Sequence, residues 1–193
     1  KYASLFGLDQ KSGVEIEEMD PHVSDTDAVR SSIGQGTNNY APVQLARYVT
    51  TIANEGNCYD LTLVNEIKNI DGRTVYKSDN VPKNTVDLTD SQWAVIKQGM
   101  RQMVSEHTSP SALINQINVN VAGKTGTAEE DTTRPDHALF VSFAPYENPE
   151  VSVTCVIPHG YTSGNAEELA GMVYAYMYDP DKLDTLDITG NNQ

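Results

Sequence analysis

The sequence is poor in cysteine, in basic residues and in long apolar runs, and each shortage removes a class of function. Its two cysteines, Cys58 and Cys155, form no C-x-x-C pair and no dense disulfide framework, which leaves the redox compartment open. Lys and Arg together number 13 against 27 Asp and Glu, for a formal net charge of -14. Nucleic acid wants a basic footprint, so no nucleic-acid partner is expected. No run of about 18 apolar residues is present, so nothing in the chain reads as a membrane span. No secretory leader pattern is present either. The opening "KYASLFGLDQ" has no starting Met, and the chain is read as a piece whose upstream sequence, with any anchor, lies outside it.

What remains suits a folded domain or a large part of one. The 193 residues are 38% hydrophobic and 21% charged, enough to bury a core. "KYASLFGL" reads as a helix end stopped near Gly7, and residues 9–39 as polar loop. "APVQLARYVTTIANEG" has apolar residues at Val43, Leu45, Ala46, Val49, Ile52 and Ala53, near helical spacing, with Pro42 in its first turn and Gly56 at its end. "DLTLVNEIKNIDGRTVYKS" predicts a hairpin turning at Asp71-Gly72. "TDSQWAVIKQGMRQMVSE" predicts a helix capped by Thr89, with Trp93 opening its apolar face. The period then falls to two: "NVNVAGKTGTAE", "HALFVSFAPYENP" and "EVSVTCVIPHG" predict three strands. The expected pairing is 119–128 with 137–144 and 137–144 with 151–158, antiparallel, with 119–128 outermost. "AEELAGMVYAYMY" predicts a helix across that sheet, presenting Leu169, Met172, Val173 and Tyr176 on one face; its tyrosines read as core and rim. Residues 179–193 read as an acidic, frayed tail. The fold class is α/β (α+β), a mainly antiparallel sheet flanked by helices.

The stretch "VAGKTGTAEE" raises the chemical question, because it sets one cation between two glycines in an acidic chain. In a strand Lys124 and Gly126 point one way, Thr125 and Thr127 the other. Gly123 and Gly126 leave the strand bare, so another backbone can approach. An edge strand with a cation and hydroxyls suits an extended peptide ending in a carboxylate. On these residues alone, a strand end with a surface lysine is an equal reading.

The wider sequence resembles the transpeptidase domain of penicillin-binding proteins. "GKTGTAE" followed by "HALFVSFAPYENPEVSVTCVI" resembles their third active-site motif and last strands. "SSIGQGTNNYAPVQLARYVTTIANEG" resembles their "GQG…P-x-Q-L-A…Y…IAN-x-G" stretch, and "FGLDQKSGVEI" the segment between their second and third motifs. The likeness covers roughly residues 1–178, in order, and the "IGQG" and "FAPYENPE" wording favours the monofunctional class B type. It implies a β-lactamase/transpeptidase-like fold over 1–178.

That family builds one cleft from S-x-x-K, S-x-N and K-T-G. Its serine attacks the D-Ala-D-Ala carbonyl and forms an acyl-enzyme, with a lysine helping to take its proton. The resemblance implies that Lys124 and Thr125 hold the carboxylate of substrate or antibiotic and the hydrogen bonds around the second-motif serine. Gly126 would leave room for the acyl group. The N–H of Thr127 would be an oxyanion donor, a role worth roughly 10²–10³ in rate; Thr127 is therefore the one catalytic residue expected here. β-Lactams would mimic the dipeptide and stall as acyl-enzymes.

The chain departs from the full pattern. It contains no S-x-x-K, and the S-x-N nearest to K-T-G, Ser163-Gly164-Asn165, follows that motif instead of preceding it. "TSGNAEE" reads as a helix N-cap with acids in the first turn. The nucleophile is expected upstream, in an N-terminal half that acts as partner.

Among the four histidines, His22 and His107 read as solvated side chains, and Asp20, His22, Asp25 and Asp27 as a solvated acidic turn. His137 and His159 sit at neighbouring ends of two paired strands, with Cys155 four residues before His159. A zinc site drawing on His137, His159 and Cys155, with Cys58 as a further candidate, is conceivable; a half-buried cysteine and two surface imidazoles is the preferred reading. Serine acyl transfer needs neither cofactor nor metal, and none is expected in catalysis.

The function implied is cross-linking of peptidoglycan stem peptides ending in D-Ala-D-Ala, inhibited by β-lactam antibiotics, at the extracytoplasmic face of a bacterial membrane through an N-terminal anchor. The alternative is a non-catalytic β-lactam sensor or a scaffold of the division or elongation machinery; a β-lactamase fits the "GQG…QLA" region less well. An upstream S-x-x-K separates enzyme from sensor.

Overall fold

The computed structural model describes residues 1–107, 111–130 and 132–185. The chain divides into two compact units, Lys1–Ala94 and a second that begins at Val95.

The first unit carries α1 (Tyr2–Leu5), α2 (Ala28–Ser32), α3 (Pro42–Ala53) and four short strands, β1 (Asn57–Cys58), β2 (Glu66–Lys68), β3 (Thr74–Lys77) and β4 (Asn84–Thr85). Helix α3 starts where expected, with Pro42 in its first turn and the Gln44 side chain accepting the Ala41 N–H at 2.9 Å. Its inner face is more polar than the apolar spacing suggests. Arg47 is 2% exposed because its guanidinium is used on three sides. It donates to the Gly7 carbonyl, to the Gln10 carbonyl at 2.9 Å and to Asp60 Oδ1 at 3.2 Å, so the buried charge is paired. The hairpin β2–β3 forms antiparallel around Gly72, whose φ of 79° supplies the left-handed turn position.

Residues 9–39 hold more structure than a solvated loop. Asp27 caps α2 by accepting the Arg30 N–H at 2.9 Å, and Asp20 pairs with Lys11 at 3.3 Å. His22 bridges to Asn39 through backbone bonds and its ring meets Thr37 Oγ1 at 3.3 Å. Asx caps and side-chain turns of this kind leave no periodic signal.

Helix α4 (Asp90–Glu106) spans the boundary between the units. Thr89 caps it as expected, with its N–H donated to Gln92 Oε1 at 2.9 Å and its Oγ1 accepting the Gln92 N–H at 3.3 Å. Trp93 is buried within the first unit, edge-on to Phe6 with ring centroids 6.4 Å apart.

The second unit is a three-stranded antiparallel sheet, β5 (Ala122–Ala128), β6 (His137–Ala144) and β7 (Val151–Ile157), in the order β5-β6-β7. Register is regular, with Thr125 opposite Phe140 and Phe140 opposite Cys155. Pairing and order are those the sequence predicts. Helix α5 (Ser163–Tyr178) packs across the sheet, but on a different face from the one expected. Ala166, Ala170, Gly171, Tyr174 and Ala175 are buried, while Leu169, Val173 and Tyr176 are exposed. Small residues let the helix backbone approach the sheet, and Tyr174 is the large apolar side chain of α5 that is fully buried. Its hydroxyl lies 2.9 Å from Ser142 Oγ, which also donates to the Val153 carbonyl at 3.1 Å. The core is completed by Val104, Ile114, Ile117, Val121, Ala138, Phe140, Ala144 and Cys155.

The cap of α5 is Thr162, whose side chain faces the Gly164 N–H at 3.5 Å, and Asn165 donates to the Gly160 carbonyl at 2.8 Å. The acids expected in the first turn lie beyond it, because the helix begins at Ser163, and Glu167 is fully buried. It accepts from Ser111 Oγ and faces His107 Nδ1 at 3.0 Å, so His107 is not simply solvated. Residues Pro180–Thr185 form a 3₁₀ helix with Leu183 packed on the core; the rest of the expected frayed tail lies outside the described residues.

Candidate functional site

Strand β5 is buried at its start and bare at its end. Val121, Ala122 and Gly123 are buried, Lys124 and Thr127 exposed, and Thr125, Gly126 and Ala128 half-buried. A polar clamp fixes the buried end. Arg101 donates to the Val121 carbonyl at 3.3 Å and to Asn120 Oδ1 at 3.0 Å. Asn120 donates on to Glu147 Oε1 at 2.6 Å, and accepts the Tyr146 N–H at its carbonyl at 2.7 Å. The Asn120 bond holds the Glu147 carboxyl below the usual range.

The register separates the two faces of the strand. Gly123, Thr125 and Thr127 lie opposite Ser142, Phe140 and Ala138, on the side where α5 packs; Lys124 and Gly126 lie opposite Val141 and Leu139 on the other. Among the described residues β5 pairs with β6 alone, so it is the outer strand. Lys124 extends from it, donating to the Thr125 carbonyl at 2.9 Å and meeting no carboxylate among the described residues. The four expected residues Lys124, Thr125, Gly126 and Thr127 are therefore consecutive on one outer strand. Such a strand can take an extended chain along its edge and an anion at its lysine.

The two glycines differ in kind. A Cβ on Gly123 would stand 2.5 Å from Phe140 Cζ and 3.0 Å from Ser142 Cβ, so Gly123 is required by packing. A Cβ on Gly126 would meet only Leu139 Cβ, at 3.5 Å, an ordinary contact. Nothing in the sheet demands a glycine at 126.

Beside the strand, His137 and His159 come together as expected, their ring centroids 4.8 Å apart. Cys155 does not join them. It lies in the apolar core opposite Phe140, where burial pushes its thiol up. Strand alternation ends at Ile157, and His159 has a φ of 54°, so counting four residues from Cys155 does not carry its face onto the histidine. Cys58 belongs to the first unit. The residue that sequence reasoning misses is Glu130, whose Oε2 lies 3.0 Å from His137 Nε2.

Residues 1–176 match the model of the penicillin binding protein transpeptidase domain. The chain belongs to that family. Penicillin-binding protein 2B of Streptococcus pneumoniae strain D39 is 31% identical over 170 residues, which is 80% of this chain and 25% of that protein. Peptidoglycan D,D-transpeptidase MrdA of Acinetobacter baumannii is 26% identical over 202 residues, 89% of this chain and 29% of that one. Among solved structures, the imipenem acyl-enzyme complex of penicillin-binding protein A from M. tuberculosis aligns with a TM-score of 0.76 at 25% identity, over 91% of this chain and 40% of that one. The chain spans between a quarter and a third of the length of these two curated relatives. Within this family, the class B type is the one its relatives represent, as the sequence resemblance implies. No helix among the described residues is long and apolar enough to cross a membrane.

Proposed function

We propose that this chain is the K-T-G half of a peptidoglycan D,D-transpeptidase. The observation that carries the proposal is the exposed Lys124 on an outer strand bared by Gly126, in a chain whose residues 1–176 match the family. The stem peptide lies along β5 and its terminal carboxylate is held by Lys124 and Thr125. Thr127 offers its N–H to the oxygen of the attacked carbonyl. A serine outside this sequence attacks that carbonyl and loses its proton to a base. The peptide bond to the terminal D-Ala breaks, and D-Ala leaves with a proton on its amine. An amine of a second stem peptide then attacks the acyl-enzyme, forming the cross-link and returning the serine its proton. A β-lactam occupies the same strand through its carboxylate, and its ring opens onto the same serine.

The sequence holds no S-x-x-K, so the nucleophile comes from an N-terminal half of the protein. Ser78-Asp79-Asn80 has S-x-N spacing but follows the exposed β2–β3 hairpin, and the reading places the family's S-x-N motif, with an anchor at the extracytoplasmic face of the membrane, in that same N-terminal half. Incubating the whole protein with a D-Ala-D-Ala stem peptide and an acceptor amine tests this. Release of D-Ala with cross-linked product, blocked by a penicillin, is expected. Penicillin acylation without any D-Ala release contradicts it and favours a β-lactam sensor.

A further inference from the structure

The loop that joins β5 to β6 begins at Glu129, two residues after Thr127, and returns at His137. One carboxylate oxygen of Glu130 and one ring nitrogen each of His137 and His159 lie within 4.8 Å of one another. Glu130 is exposed and both histidines are half-buried. We propose that these three residues form a binding site for a divalent first-row transition metal of the zinc type, which fastens the loop beside the K-T-G strand.

The donor set selects the metal class. Two imidazoles and one carboxylate suit zinc and its neighbours, whereas calcium and magnesium take oxygen ligands. Tetrahedral zinc with nitrogen and oxygen ligands at about 2.0–2.2 Å brings the ligand atoms to about 3.4 Å of one another. From within 4.8 Å, a rotation of the exposed Glu130 side chain and a tilt of the rings closes that gap. Water takes the fourth position.

His159 already has the proton arrangement a ligand needs. Its Nδ1 faces the Pro135 carbonyl at 3.1 Å. A carbonyl only accepts, so Nδ1 carries the hydrogen and Nε2 keeps its lone pair for the metal. The backbone of His159 holds this pose with a φ of 54°, unusual for a side-chain-bearing residue. His137 accepts the His159 N–H at Nδ1, at 3.0 Å, so its hydrogen sits on Nε2 and is donated to Glu130. Metal binding breaks this arrangement. If the metal takes Nε2, the neutral ring carries its hydrogen on Nδ1; if it takes Nδ1, the metal fills that lone pair. By either route the His159 N–H loses its acceptor, and the His159 amide becomes a reporter of occupancy.

The metal ties both ends of the loop, at Glu130 and His137, to the turn after β7. The role proposed for it is positional. This inference does not depend on the enzymatic reading, and its failure leaves that reading intact.

The test titrates Co²⁺, then Zn²⁺, into the chelator-stripped whole protein and into three variants: the double variant His137→Ala/His159→Ala, Glu130→Gln and Cys155→Ser. The expected result is one more equivalent of Co²⁺ bound by the wild type than by the double variant. That equivalent shows a tetrahedral visible band and is displaced by Zn²⁺. Glu130→Gln, an exposed change that spares the fold, weakens it, and Cys155→Ser leaves it unchanged. The His159 amide resonance shifts on loading. Melting curves taken in chelator separate lost ligands from lost fold. Equal equivalents in the wild type and the double variant, a site lost on Cys155→Ser, or a His159 amide unmoved by bound metal overturns the proposal.

Discussion

Gly123 lies against the Phe140 ring so closely that a single added methyl would stand 2.5 Å from Phe140 Cζ. Three residues along the same strand, a methyl on Gly126 would find ordinary contact at 3.5 Å. The two glycines of the motif should therefore fail differently. Gly123→Ala is expected to destabilise the domain by about 1–3 kcal/mol, the usual cost of overpacking. Gly126→Ala should leave the unfolding midpoint where it is and slow acylation by penicillin, because its methyl meets the sheet only in ordinary contact and would stand on the strand proposed to take the ligand. Denaturant titration beside acylation kinetics checks both. A destabilised Gly126→Ala with unchanged acylation would remove the argument for a bare binding edge.

Glu15 fastens residues 62–64 to the loop that precedes them. It accepts the Leu63 N–H at 2.7 Å and the Thr62 hydroxyl, and these bonds, the Leu63 one foremost, lower its carboxyl to about 2 from an ordinary 4.5. A carboxyl depressed on folding contributes stability that is present above its unfolded value and lost as pH falls through its folded one. The stability difference between wild type and Glu15→Gln should be constant above about pH 5 and shrink between about pH 4.5 and pH 2. Denaturant midpoints across that range read it directly. A difference that grows on acidification would contradict the clamp.

Glu167 is a fully buried carboxylate held by Ser111 and His107. Glu167→Ala strands the buried Ser111 hydroxyl and opens a cavity, and is expected to cost about 2–5 kcal/mol. Glu167→Gln keeps the volume and one acceptor and should cost less. Thermal unfolding of the two variants ranks them; equal stability to wild type in Glu167→Ala would deny the cluster a structural role.

The elements with strong periodicity are legible in the amino-acid order alone. The strand order β5-β6-β7, the start of α3 at Pro42 and the Thr89 cap follow from alternation, proline geometry and cap chemistry. Helix α5 has its expected place along the chain but turns a different face inward. Hydrophobicity ranks Leu169 and Val173 above Ala170 and Gly171, but close packing on a sheet favours the smaller side chains. The burial of Arg47 and Glu167 escapes a sequence pattern because a buried charge is identified by its partners, and those partners lie far away in the chain. The same holds at the histidine pair. Register brings His137 and His159 together, yet only the folded loop shows Glu130 as their third member and Cys155 turned into the core.

The strand residues Lys124 to Thr127 are legible because they are consecutive, and their contribution to chemistry rests most heavily on the lysine. Lys124 is exposed, so Lys124→Ala should change stability by no more than about 0.5 kcal/mol. Losing a charge-assisted bond to a carboxylate costs about 1.5–3 kcal/mol, or roughly ten- to a hundredfold in rate. The decisive measurement is the acylation rate of the whole protein by a fluorescent penicillin, wild type against Lys124→Ala, with the adduct located by peptide mass. Slowed acylation, an unchanged melting temperature and an adduct on a serine outside residues 1–193 are expected. An unchanged rate, or an adduct on a serine within this chain, contradicts it.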